Sequence, residues 1–255
     1  MGDAVPAATR TLRALRVLAD GPTRVDALAR RLEIPRSSTY QLLDAIGAEG
    51  FATRLADGRW ALGIGALELQ NAVWRTDPLE SHARQGLQAL IATVPRDLPA
   101  VAHCAVLHGR ESLYIATAHT PRMTTIVADI GVRLPASLTA SGRSMLATLP
   151  PKQLRALFPN RAAFVDRTGR GPMTPTALRD MLRAEQKMGV FCERGFITEG
   201  FASVAVALPP SAMSGPAAIG LTMRESSLGD PMEFREQLAD VAAMIRSLLG
   251  DTSSL

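Results

Sequence analysis

Five polar side chains lie within six residues, Arg36, Ser37, Ser38, Tyr40 and Gln41, and together they offer the donors that read nucleic acid. An arginine pairs with a phosphate or a guanine edge, serine hydroxyls donate to phosphate, and a glutamine pairs in a bidentate way with adenine. Two more arginines, Arg54 and Arg59, flank Asp57-Gly58, a dipeptide that favours a tight hairpin. On such a hairpin they would lie along a phosphate backbone or a minor groove.

Other residues capable of chemistry make weaker constellations. His103, Cys104, His108 and His119 are close in sequence and Cys192 is the second cysteine, but on a strand His103 and Cys104 face opposite sides. One ion would therefore not reach both, and we expect no metal. Ser141-Gly142-Arg143-Ser144 lacks both the GxSxG elbow and the lysine of an SxxK site, so no catalytic residue and no cofactor is expected. Glu193 and Glu199, in the Gly- and Phe-containing stretch 189–201, read equally as pocket anchors and as loop charges.

The elements around the polar cluster give it a place. Thr9 to Asp20 carries Leu12, Leu15, Val17 and Leu18 at helical spacing. Thr23 reads as the N-cap of a second helix, Arg24 to Leu32. Pro35 opens a third, Arg36 to Ala48, in which Leu42, Leu43 and Ile46 are the inward residues and Gly50 is the stop. Phe51–Arg54 and Trp60–Leu62 then make a two-stranded wing. Three short helices and a hairpin are a winged helix-turn-helix, whose third helix enters the major groove by its amino-terminal end.

We expect residues 1–8 to be disordered or frayed, 9–63 to be the winged helix-turn-helix, 64–80 a linker helix punctuated by Asp77-Pro78, and 81–250 a second domain. In that domain Ala100–Leu107 and Ser112–Ala118 read as an antiparallel pair around His108-Gly109-Arg110, and Thr124–Ile130 as a further strand. Ser203–Leu208 and Ala217–Met223 are two more. Helices are expected over Ser81–Ala92, Ser141–Leu149, Lys152–Phe158, Thr174–Met188 and Pro231–Leu249. The mixture is an α+β domain with a ligand-sized concavity.

Bulk properties bound the function without choosing it. The 255 residues are 47% hydrophobic and 20% charged, ordinary for a globular protein, and no apolar run approaches the roughly 20 residues of a membrane span. A cytoplasmic location is expected. The net charge is only +4, and residues 1–75 hold 10 Arg against 8 Asp plus Glu, or +2 of that total. DNA recognition would therefore rest on a few placed side chains and not on a basic field.

The motifs resemble those of the IclR family of bacterial transcription regulators, along nearly the whole chain from about residue 9 to 250. The likeness rests on Leu12-Arg13-Ala14-Leu15, Ile34-Pro35-Arg36-Ser37, Leu42-Leu43, Glu49-Gly50 and Trp60-Ala61-Leu62-Gly63, then on Leu134-Pro135, Thr139 to Ala147 and Glu199 to Ala205. It implies a winged helix-turn-helix, a linker helix and a GAF-like effector-binding domain, assembled as dimers or dimers of dimers on a double-stranded operator. It also implies a pocket for a small organic effector, such as an aromatic or other small acid or derivative. Matching positions are Met123, Ile126, Leu134, Ala140 and Ser141 on the amino-terminal side of the domain, and Glu193, Phe201, Ser203, Gly220 and Thr222 beyond it. Ala140 and Ser141 would offer N–H groups to an oxygen and Glu193 would accept from a ligand hydroxyl or amine.

The sequence departs from the family pattern at Gln41, where an arginine is usual, and at Gly195-Phe196, where a pair of acidic residues is common. The first gives this chain its own operator and the second predicts a more apolar pocket wall. Two other readings compete: a small-molecule-modifying enzyme domain fused to a winged helix, and a winged helix that binds protein instead of DNA.

Overall fold

Leucines and small residues at helical spacing build the first part of the computed structural model, which describes residues 6–76, 79–123, 129–211 and 215–251. The chain divides into two units, residues 1–76 and 77–255. In the first, helices α1 (Pro6–Ala19), α2 (Val25–Leu32) and α3 (Arg36–Ala48) bury Ala14, Leu18, Leu28, Leu32, Leu43 and Ile46 around Trp60. Burying one leucine contributes about 1.5–3 kcal/mol, so three short helices suffice for a core.

Several local expectations change here. Helix α1 already includes residues 6–8, and residues 1–5 lie outside the described part of the chain. Leu12 is 59% exposed, on a different face of α1 from the buried Ala14 and Leu18, and Leu42 is only partly buried. Thr23 does not cap α2, whose N-cap is Arg24 without a side-chain bond. Instead, Thr23 exchanges two main-chain hydrogen bonds of 2.8 Å with Trp60, which lends the wing a third bridging residue. Pro35 stands one residue before α3, in extended conformation, and its carbonyl accepts from the Thr39 hydroxyl at 3.0 Å.

The wing is the antiparallel pair β1 (Ala52–Arg54) and β2 (Trp60–Leu62). Gly58 turns it at φ +80°, a left-handed conformation that costs glycine little. Helix α4 (Gly65–Thr76) follows in the segment expected as a linker helix, and α5 (Leu79–Thr93) begins after residues 77–78, which lie outside the described residues.

Among the described residues the second unit is built on a six-stranded antiparallel sheet in the order β5-β4-β3-β8-β7-β6. The strands are β3 (Ala100–His108), β4 (Glu111–His119), β5 (Arg133–Pro135), β6 (Phe191–Arg194), β7 (Phe201–Ser211) and β8 (Gly215–Arg224). Because side chains alternate across a strand, Ala102, Cys104, Val204, Ile219 and Leu221 face α5 and α9 (Arg235–Asp251). Val101, Ala105, Tyr114 and Ala218 face the opposite side with Leu134 and Met145. That side is covered by α6 (Ala140–Leu146) and, beyond it, α7 (Pro151–Leu157) and α8 (Pro175–Met188). Thr174 caps α8 by accepting from the Ala177 N–H at 3.1 Å.

Strands β5 and β6 went unforeseen because three and four residues are too few to display alternation. The strand expected over Thr124–Ile130 falls largely on 124–128, outside the described residues. The terminal helix begins at Arg235, after a 3-10 turn over Pro231–Phe234.

Candidate functional site

In the first unit, one face of α3 packs while the other is open. Thr39, Leu43 and Ile46 are buried, whereas Arg36, Ser37, Ser38 and Gln41 are exposed and Tyr40 is half-buried. Arg36 is not idle: its Nε lies 3.1 Å from Asp26 Oδ1, its Nη2 lies 3.5 Å from the Tyr40 hydroxyl, and its guanidinium stands 5.8 Å from the Tyr40 ring centroid. These partners, the Tyr40 hydroxyl first and then the Asp26 charge, hold its pKa above the ordinary value. An exposed pair of this kind is weak, so the cost of exchanging Asp26 for a phosphate is small.

On the wing, Arg59 folds back on its own turn, with Nε donating to Asp57 Oδ2 at 2.6 Å. Its main-chain N–H donates to Oδ1 of the same carboxylate at 3.0 Å, and these bonds lower the Asp57 pKa. Arg54 is exposed and has no carboxylate or hydrogen-bond partner among the described residues, which leaves it the more available wing cation.

The second unit holds a small cleft lined by Tyr114, Leu134, Thr139, Glu193, Ile197, Thr198, Phe201, Ser203 and Thr222. Sheet register assembles it: Glu193 pairs with Ser203 across β6 and β7, and Ser203 with Thr222 across β7 and β8. All three side chains are buried. Ser203 Oγ donates to Glu193 Oε1 at 2.9 Å and lies 2.9 Å from Thr222 Oγ1. Glu193 Oε2 accepts from the Phe196 N–H at 3.0 Å. Burial raises the Glu193 pKa above the usual carboxylate range, against the pull of those two donors and of Arg143.

Five of the ten expected effector residues border this cleft: Leu134, Glu193, Phe201, Ser203 and Thr222. Met123 packs against the adjoining apolar cluster, and Ile126 lies outside the described residues. Ala140 and Ser141 are buried at the start of α6 and do not line the cleft. Gly220 does not line it either; a Cβ there would come within 2.6 Å of His103 Nε2, so its bare backbone makes room for that imidazole. Tyr114, Thr139, Ile197 and Thr198 went unforeseen. For Tyr114 a usable signal existed, since β4 alternates and its inward residues share a face with β3.

Gly195-Phe196 contributes differently than expected. The Phe196 N–H holds Glu193, while its ring lies 5.1 Å from the Arg143 guanidinium carbon. The apolar wall comes from Leu134, Ile197 and Phe201.

The remaining chemical candidates are accounted for structurally. Cys104 belongs to the core under α5 and α9, His103 faces the other side, and His108 is exposed beside Arg133 at 3.1 Å. Among the described residues no three His, Cys, Asp or Glu side chains gather as metal ligands. Ser144 donates to the Ser141 carbonyl at 2.8 Å. Arg143, fully buried, grips Glu185 through two 2.8 Å bonds. No helix among the described residues is long and apolar enough to cross a membrane.

Comparison with known proteins places this architecture. A model described as the bacterial transcriptional regulator IclR C-terminal domain matches residues 78–247, and one for the IclR helix-turn-helix domain matches residues 7–56. The Pca regulon regulatory protein of Pseudomonas putida is 30% identical over 181 residues, 70% of this chain and 60% of that protein. The glycerol operon regulatory protein of Streptomyces coelicolor is 29% identical over 234 residues, 90% of this chain and 89% of its own. Among solved structures, an IclR homolog from Microbacterium hydrocarbonoxydans complexed with 4-hydroxybenzoate superposes with a TM-score of 0.78 at 22% identity, covering 97% of this chain and 99% of that one.

Proposed function

The chain belongs to the IclR family of bacterial transcriptional regulators, and from that premise we propose that it is a cytoplasmic, homo-oligomeric, ligand-responsive regulator of a DNA operator. The observation that carries this reading is the face of α3: four polar side chains open to solvent on a helix whose opposite side is core. In a winged helix-turn-helix those residues approach base edges and phosphates. Arg36, Ser37, Ser38, Tyr40 and Gln41 then read the major groove, and Arg54 and Arg59 steady the wing on the backbone.

The test is an electrophoretic shift of the full chain on the DNA flanking its own gene. Arg36→Ala is expected to weaken operator binding by roughly tenfold to a hundredfold if it contacts a guanine. Affinity should fall steeply with salt, because phosphate contacts release counterions. Equal affinity of wild type and variant at physiological salt would remove Arg36 from the interface. A salt-independent interaction would favour a protein partner.

A small organic effector bound in the Glu193–Ser203–Thr222 cleft would bias the spacing of two DNA-reading heads and so change operator affinity. The Microbacterium homolog's 4-hydroxybenzoate and the Pca regulon relative support an aromatic acid or derivative. The GAF-like assignment of the second unit and the absence of catalysis belong to the same proposal; the named relatives are regulators.

Apolar side chains left open in the first unit support self-association. Leu12, Ile64, Leu67 and Leu69 are 59%, 77%, 54% and 58% exposed, and exposed large apolar side chains are available to an interface. The double substitution Leu67→Glu, Leu69→Glu is expected to lower the mass measured by light scattering by at least one assembly step. An unchanged mass would exclude this surface from the oligomer.

A further inference from the structure

The direction of the hydrogen bonds in the cleft specifies the chemistry of its ligand, given the effector reading above. Each Glu193 oxygen already accepts one bond, Oε2 from the Phe196 N–H at 3.0 Å and Oε1 from the Ser203 hydroxyl at 2.9 Å. A serine hydroxyl has a single hydrogen, and here it goes to Glu193. In the 2.9 Å contact between Ser203 and Thr222 the donor is therefore Thr222. The relay runs from Thr222 to Ser203 to Glu193, and its hydroxyl hydrogens are all directed along the row. What this row offers a ligand is lone pairs.

The other walls sharpen the selection. Leu134, Ile197 and Phe201 are apolar, Tyr114 and Thr198 add hydroxyls away from the row, and no Lys, Arg or His is among the described residues that line the cleft. The Thr139 hydroxyl accepts from the Gly142 N–H at 2.9 Å and shares a 3.0 Å bond with Ser112, so it is occupied. A carboxylate set against the row would meet a buried carboxylate and two hydroxyls whose hydrogens are already committed, with its desolvation uncompensated there. A hydroxyl would meet free acceptors.

We infer that the cleft selects a small apolar molecule donating a hydroxyl hydrogen to the Glu193 end of the row, and that it rejects a carboxylate at this end. Any acid group on the natural effector lies at the opposite end, away from the row.

Calorimetric titration of the full chain with three molecules of one shape tests this: 4-methylphenol, 4-methylanisole and 4-methylbenzoate. The phenol is expected to bind at least roughly tenfold more tightly than the anisole, which keeps the oxygen and loses the donor, and the benzoate more weakly still. In Glu193→Gln, whose amide supplies a hydrogen, the margin should shrink to about threefold or less. Ile197→Trp, which fills the cleft, should abolish binding of all three and so report where they bind. If the anisole or the benzoate binds wild type as tightly as the phenol and Ile197→Trp removes it, the donor requirement is overturned while the effector cleft stands. If none of the three binds at millimolar concentration, the inference is overturned. The effector reading falls with it only if operator binding also ignores a wider set of small acids and alcohols.

Discussion

Arg143→Met is expected to destabilise the second unit by about 3 to 5 kcal/mol, the cost of stranding a buried charge by removing its partner. Arg143 is fully buried and Glu185 is 5% exposed. Two parallel bonds of 2.8 Å join them, and the guanidinium also donates to the carbonyls of Ser137, Leu138 and Cys192 at 3.3, 3.2 and 2.5 Å. One side chain thus ties α6 to α8, to β6 and to the segment before α6. The bidentate fork explains why a lysine could not replace it.

The two units can be followed separately, because Trp60 sits in the first core and Trp74, the other tryptophan, also precedes residue 77. In guanidinium titrations Arg143→Met should move the circular-dichroism transition of the second unit and leave the tryptophan transition in place. Glu185→Met should cost a similar amount. The double variant Arg143→Met, Glu185→Leu should recover only part of the loss, since it removes the stranded charge but leaves three carbonyls without their donor. A single variant within about 1 kcal/mol of wild type would show that the pair is dispensable.

The second large effect is a loss of stability in acid through His103. Burial holds its pKa down at about 4, from an ordinary 6.5, against the weaker opposing pull of the Val101 main chain. The unfolded chain therefore binds a proton between pH 6.5 and 4 that the folded chain refuses, so stability is complete above pH 6.5 and declines as pH falls. By pH 4 the loss amounts to about 3 kcal/mol. His103→Leu should remove that component from the pH dependence of unfolding, with the slope between pH 6.5 and 4 flattened. An unchanged slope would acquit His103.

Neighbouring groups do not mimic this signature. Tyr114, whose ring centroid lies 4.9 Å from that of His103, is pushed up to about 12 by burial and stays neutral throughout. Glu193, with its pKa raised, acts with the opposite sign: its folded form prefers the proton, so it favours the fold as pH falls. Measured in the Glu193→Gln background, the His103 effect should therefore stand out more strongly.

How much of this was legible beforehand differs between the two units. In the first, the signals are local. Pro35, Gly50 and Asp57-Gly58 punctuate the chain within a few residues of what they control, and Leu18, Leu28, Leu43 and Ile46 recur at helical spacing and are all buried. The same logic placed the paired strands on either side of Gly109 and the helix capped by Thr174. Residue type by itself could therefore put four polar side chains on the open face of α3.

Local signals failed where another partner, near or remote, claimed the residue. Thr23 looks like a cap, yet Trp60, remote in sequence, captures its main chain. Leu12 fits a helical stripe, yet the core takes the face of Ala14 and Leu18 and leaves Leu12 exposed. Arg59 on the wing appears free until Asp57 is found holding it.

The sequence by itself determined which segments become helix, turn and hairpin, because those choices are made by backbone conformations and side-chain periods spanning a few residues. Only the tertiary structure decided that Glu193, Ser203 and Thr222 stand in one row, that Gly220 makes room for His103, and that Arg143 finds Glu185 across 42 positions. The reason is register. Shifting one strand by a single residue would turn each of its side chains to the other face, and that alignment is set jointly by the core on both sides of the sheet.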